Sequence, residues 1–98
     1  MFNFLKGLFG KSVDVKGIIA QGATIIDVRT PNEYKSGHAK NSINISLNTI
    51  EANLGRIKKY KQPIITCCAS GIRSGRAATI LKSRGIEAHN GGAWKNVN

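Results

Sequence analysis

The chain has 98 residues, 41% of them apolar and 20% charged. That balance fits one compact domain with a buried core and excludes the low-hydrophobicity, high-charge class of disordered chains. Its 15 lysines and arginines outnumber 5 aspartates and glutamates, so small oxyanions, acidic proteins, nucleic acid and anionic lipid would all be drawn to it. The excess runs from Lys6 to Lys95 and is densest at Arg56, Lys58, Lys59 and Lys61, the pattern of a solvated basic face. No aromatic-rich strand motif accompanies it, so nucleic acid is not an expected partner.

Residues 1–11, MFNFLKGLFGK, form an apolar and basic lead to a domain spanning 12–98. The lead has no basic start and no small-residue cleavage site, so it does not read as a signal peptide, and it is about half the length of a membrane span. A weak contact with a membrane surface is one reading; a strand or turn packed on the domain is the favoured one. The cysteines, Cys67 and Cys68, are adjacent, unlike the separated pairs of secreted disulfide scaffolds, so a reducing compartment, the cytoplasm, is expected. With His38 and His89 isolated, the chain lacks metal-ligand spacing, and no metal is expected.

Ser12 can cap a short helix through Ile18, Ile19 and Ala20, with Gly22 as its stop. Residues 24–28, TIIDV, read as a buried strand. Thr30-Pro31-Asn32-Glu33 is a capping box with Pro at the first helical position, predicting a short helix that ends near Gly37. Asp27 and Arg29 therefore sit at a strand's carboxyl end. Ile43 and Ile45 alternate with Asn44 as a strand does, and Leu47, Ile50, Leu54 and Ile57 then recur at helical spacing.

Pro63 opens another apolar run, Ile64 to Cys67. A small-residue loop follows, then a helix from Ser74 with Ala77, Ala78 and Leu81 on one face and Gly85 as its stop. Ile86 to His89 is the last predicted strand. Strands alternating with helices indicate an α/β fold with a mainly parallel sheet covered on both faces. Ligands in such sheets bind beyond the carboxyl ends of the strands.

The loop Cys68-Ala69-Ser70-Gly71-Ile72-Arg73 joins an apolar strand to a helix. Its backbone N–H groups can converge on an anion at the helix's positive end. That field, with Arg73 nearby, favours a thiolate, the nucleophilic form of cysteine. Gly71 permits a turn of the amides inward, and Ser70 and Ser74 can add hydroxyl donors. Taken alone, the stretch is equally compatible with a tight strand-to-helix turn in which Cys68 is a small buried hydrophobe.

The order Asp27-Val28-Arg29, Glu33-Tyr34, Gly37-His38-Ala39, Asn44-Ile45, the Cys68–Arg73 loop, Gly91-Gly92 and Trp94 resembles the single-domain rhodaneses over residues 12–97. The resemblance implies a central five-stranded parallel sheet flanked by helices on both faces. It implies Cys68 as nucleophile within an anion-binding loop of Ala69, Ser70, Gly71, Ile72 and Arg73. Asp27 and Arg29 become structural residues at the site's edge, and His38 a residue of the fold. The implied activity needs no cofactor. A sulfane sulfur passes from a small anionic donor such as thiosulfate to Cys68 as a persulfide, then to cyanide, a thiol or a protein acceptor.

The chain departs from the family pattern at Ser46, where Pro is frequent, at Ala69, where a basic residue is common, and at Cys67, where an aromatic is common. Cys67 should point away from Cys68 and reads as strand filler; its alternative is a disulfide that discharges the persulfide. Two other functions compete. Phosphatase or arsenate-reductase relatives resemble C-x5-R, the count from Cys67, whereas Cys68 to Arg73 is the shorter C-x4-R. A non-catalytic module binding an acidic partner through the basic face is the other.

Overall fold

The computed structural model describes residues 13–98; the lead 1–11 and Ser12 lie outside them. Helix α1 (Val15–Ala20) is capped by Asp14, whose carboxylate accepts from the Gly17 amide at 3.1 Å, and Gly22 follows its end as expected. Strand β1 (Thr24–Asp27) comes next. Helix α2 (Pro31–Lys35) begins with the full capping box: the Thr30 hydroxyl accepts from the Glu33 amide and Glu33 accepts from the Thr30 amide. Strands β2 (Ile43–Asn44) and β3 (Ile64–Cys68) flank a irregular helical stretch, and helix α4 (Ile72–Ser83) and strand β4 (Ala88–Ala93) complete the chain with a 3₁₀ turn at Trp94–Asn96.

The single helix expected across Leu47 to Ile57 is instead two 3₁₀ turns, Leu47–Thr49 and Glu51–Asn53, and one turn of α-helix, α3 (Leu54–Ile57). Local side chains compete for its carbonyls: the Thr49 hydroxyl donates to the Ser46 carbonyl at 2.9 Å and the Asn53 amide to the Thr49 carbonyl at 2.8 Å. The apolar spacing still serves its purpose, because Ile50 and Ile57 are fully buried.

Four strands form one wholly parallel sheet in the order β2-β1-β3-β4. The fifth strand implied by the resemblance is not formed among the described residues. The four strands lie at the four apolar runs read from the sequence, with β3 reaching Cys68 and β4 running on to Ala93. The last strand starts at Ala88 rather than Ile86, since the Ile86 amide closes the end of α4 by donating to the Leu81 carbonyl. Among the described residues no helix is long and apolar enough to cross a membrane.

Alternation along the central strands builds a core on each face. Ile26, Ile64 and Cys68 join Ile50, Ile57, Ala77, Ala78 and Leu81 on the α4 side, while Ile25, Ile65 and Cys67 pack with Val97 and the apolar face of α1 on the other. Each fully buried isoleucine contributes up to about 1.5–3 kcal/mol. Between β3 and β4 the register slips, Thr66 pairing with Asn90 but Cys68 with Ala93. The extra residue falls at Gly91-Gly92. A Cβ on Gly91 would lie 2.8 Å from side-chain carbons of Ile65 and Val97, so only glycine fits there.

At the carboxyl end of β1 the buried pair Asp27–Arg29 ties three segments together. Arg29 donates from Nε to both Asp27 oxygens at 3.0 Å and from a terminal nitrogen to Oδ2 at 2.7 Å and to the Gly37 carbonyl at 2.7 Å. Its guanidinium also lies 4.8 Å from the centre of the Trp94 ring, and cations over indole are attracted to its face. Arg29→Met would leave Asp27 buried and unpaired, so urea unfolding at neutral pH should show a loss of about 3–5 kcal/mol. A loss below about 1 kcal/mol would mean that Asp27 finds water instead.

Candidate active site

Strand β3 carries Cys67 and Cys68 to the carboxyl end of the sheet on opposite faces, and the chain then turns at once into α4. Gly71 makes the turn with φ +103°, and a Cβ there would meet the Gly92 Cα at 3.4 Å. As a result two backbone amides aim at the Cys68 sulfur, Gly71 N at 3.0 Å and Ser74 N at 3.3 Å, and the Ser74 hydroxyl lies 3.3 Å away. The helix begins two residues before Ser74, at Ile72, so these amides belong to its first turn, where N–H groups lack partners within the helix and the dipole is positive.

Burial pushes the Cys68 thiol up. Hydrogen bonds from the Ser74 hydroxyl and from the Ser74, Gly71 and Ser70 amides outweigh it, and the thiol ends below its ordinary value. Burial, reinforced by the negative charge of Asp27, pushes the Cys67 thiol up to about 12. The two adjacent cysteines are thus shifted in opposite directions: the surroundings of Cys68 favour its thiolate, and those of Cys67 in the far core disfavour it. The count C-x5-R from Cys67 therefore does not start from a sulfur in the loop.

Of the other loop residues, Ala69 and Ser70 are exposed and Ile72 is 74% exposed. Arg73 does not stand free beside the loop. Its two terminal nitrogens donate to the two Glu33 oxygens at 2.7 and 3.0 Å, which joins the start of α2 to the start of α4. A cleft of about 410 Å³ lined by Val28, Thr30, Ser46, Leu47, Asn48 and Arg73 opens beside this pair. A larger one of about 560 Å³ continues along α4 past Leu47 to Ile80 and includes no residue of the loop. The smaller cleft is the one that borders the loop.

Asp27 and Arg29 stand at the edge, and their side chains bond to each other and to Gly37. His38 is exposed, stacked on Tyr34 with ring centres 3.7 Å apart, and donates from Nδ1 to the Tyr34 carbonyl at 2.8 Å. Two site residues escaped the sequence reading. Glu33 was legible as a helix cap but not as the partner of Arg73, because 40 residues separate them. Asn90, which accepts from the Ser74 hydroxyl at 2.7 Å, has only its place before Gly91-Gly92 as a signal.

Glu33 is lowered from 4.5 to about 2, chiefly by its hydrogen bonds from Arg73 and next by the Thr30 amide. A carboxylate whose pKa is depressed by folding adds stability above its unfolded value, and that stability is lost as pH falls through the folded value. The stability difference between wild type and Glu33→Gln should therefore be largest near neutrality, at about 1 kcal/mol for so solvent-screened a pair. In urea titrations it should shrink as pH falls from about 4.5 toward 2; a difference independent of pH would show that the charge of Glu33 is irrelevant.

The profile of the Rhodanese-like domain matches residues 12–96. Over 63 residues the chain is 40% identical to the Uncharacterized protein YqhL of Bacillus subtilis, covering 64% of this chain and 49% of that one. Over 67 residues it is 37% identical to the Thiosulfate sulfurtransferase GlpE of Pseudoalteromonas translucida, covering 68% of this chain and 63% of the relative. It thus spans about half the length of the first and under two-thirds of the second. The crystal structure of a rhodanese-related protein from Thermoplasma volcanium superposes with a TM-score of 0.73 at 26% identity, over 89% of each chain. With the profile matched across the whole parallel sheet and the loop between β3 and α4, this chain belongs to the rhodanese-like domain family.

Proposed function

We propose that the chain is a sulfurtransferase that carries a sulfane sulfur on Cys68. The observation that carries this reading is the convergence of the Gly71 and Ser74 amides on the Cys68 sulfur at 3.0 and 3.3 Å. Fixed N–H groups in a water-poor site stabilise an anion without reorganising, and thiolate and persulfide are both anions at the same place.

In the first step the Cys68 thiolate attacks the outer sulfur of thiosulfate. A Cys68–sulfur bond forms, the sulfur–sulfur bond of the donor breaks, and sulfite leaves with the electron pair. In the second step an acceptor such as cyanide or a thiolate attacks the terminal sulfur of the persulfide, and the Cys68 thiolate departs as leaving group. No net oxidant is consumed. The charge of +10 favours the approach of a dianionic donor, and the cleft beside Arg73 gives that donor a place next to the loop. Because Arg73 is held by Glu33, its role in this reading is to shape the rim and share its field rather than to offer a free guanidinium.

Thiocyanate release from thiosulfate and cyanide tests the reading. Wild type and Cys67→Ala should both release it, whereas Cys68→Ser should not, and thiosulfate-treated wild type should gain the mass of one sulfur. Loss of activity in Cys67→Ala alone would move the nucleophile to Cys67. Turnover of an aryl phosphate in place of thiocyanate release would reassign the chain to phosphate chemistry.

A further inference from the structure

Asn90 is exposed on β4, yet both ends of its side-chain amide are engaged. Its Nδ2 donates to the Gly71 carbonyl at 3.0 Å, and its Oδ1 accepts from the Gly92 amide at 2.9 Å. A carbonyl only accepts and a backbone amide only donates, so these two groups decide which way the Asn90 amide faces. The other partner of Oδ1 is the Ser74 hydroxyl at 2.7 Å. Ser74 is fully buried, and its Oγ also lies 3.3 Å from the Cys68 sulfur.

A serine hydroxyl has one proton to give. While Cys68 is a thiol, its S–H donates to Ser74 and the Ser74 O–H donates to Asn90, and every group is matched. When the Cys68 proton leaves to solvent, the sulfur can only accept. Ser74 keeps its own proton and turns it to the sulfur, leaving Asn90 Oδ1 with the Gly92 amide. We propose that Ser74 and Asn90 form a one-proton switch behind Cys68, in which Asn90 is a positioning residue that holds the Ser74 hydroxyl toward itself until the sulfur becomes an anion.

Asn90 therefore opposes formation of the anion by the hydrogen bond it forfeits. This tempers the pull of the loop amides. An over-stabilised sulfur anion is a poorer nucleophile, because intrinsic reactivity falls with thiol pKa.

The charged and titratable groups on the elements packed around Cys68 are Cys67 on β3, Asp27 and Arg29 from β1, Arg73 and Arg76 on α4, and Glu87 and His89 beside and on β4, with Glu33 against Arg73. Substitutions at Ser74 and Asn90 leave all of them in place, so differences between variants report the switch.

The inference rests on Cys68 being the reacting sulfur. Alkylation by iodoacetamide, though, reads the ionisation of Cys68 whether or not sulfur is transferred. Rates against pH are measured on the full chain for wild type, Asn90→Ala, Ser74→Ala and the double variant, with the adduct assigned to Cys68 by tandem mass spectrometry. In Asn90→Ala the midpoint should fall by about half to one pH unit, since the Ser74 proton is freed for the sulfur. In Ser74→Ala it should rise by a similar amount, and Asn90→Ala added to it should produce no fall.

A packing role alone gives the opposite sign in Asn90→Ala, because a loosened Gly71 no longer aims its amide. A rise, an unchanged midpoint, or the same fall in the Ser74→Ala background overturns the switch. Should Asn90→Ala not fold, Asn90→Ser, which withdraws the acceptor but keeps a polar group at the surface, is read by the same criterion. If the midpoints move as expected while no thiocyanate forms in the transfer assay, the functional reading fails and the switch stands.

Discussion

A sulfur buried at the end of an interior strand has to be satisfied by whatever backbone follows it, and in this chain that backbone is the first turn of a helix. The Gly71 and Ser74 amides have no partner within α4, and they meet the Cys68 sulfur instead. One contact thereby settles two accounts: the orphan donors of the helix and the desolvated sulfur. The rest of the site is arranged to hold that junction. Pairing opposite Thr66 puts Asn90 within reach of the Gly71 carbonyl, and the absence of a side chain at Gly91 lets the bulge that follows close against Ile65 and Val97.

The rim of the loop is held by charge pairs rather than by packing. Asp27 and Arg29 are buried and bind each other, Gly37 and the Trp94 face, so they fix the end of β1 and the turn after α2 as one unit. Glu33 and Arg73 are half-buried and tie α2 to α4. The two pairs differ in what they can do. A buried pair costs several kcal/mol to break and acts as a structural pin, whereas a screened pair is cheap to rearrange and borders the cleft beside the loop.

Local chemistry was legible wherever neighbours in sequence are neighbours in space. The capping box at Thr30 and Glu33, the stops at Gly22 and Gly85, and the four apolar runs that became strands all rest on interactions within a few residues. The errors have the same origin. Helical spacing from Leu47 to Ile57 was real as a burial pattern, but Thr49 and Asn53 side chains took the carbonyls that a continuous helix needs. The cap of α1 is Asp14, two residues past Ser12, since either side chain suits a cap and only the chain's path chooses. The fifth strand came from likeness to a family, not from a fifth apolar run in this chain.

Within the site, the sequence alone determined that Cys67 and Cys68 face opposite ways, because strand alternation assigns neighbouring side chains to opposite faces; which of the two meets the loop was left to likeness to a family. It determined too that small residues and a helix start follow the sulfur, which is enough for an anion-binding turn. Only the tertiary structure decided what the polar side chains do there. Arg73 has the right type and spacing to serve as a free cation, but Glu33, brought across from α2, takes both of its terminal nitrogens. Asn90 has no motif of its own, and it enters the site because parallel pairing sets it opposite Thr66 on β3, within reach of Ser74 and the Gly71 carbonyl. Hydrogen bonds between residues far apart in the chain depend on angles and distances that the order of residues does not encode locally, so the turn around Cys68 could be read and its supports could not.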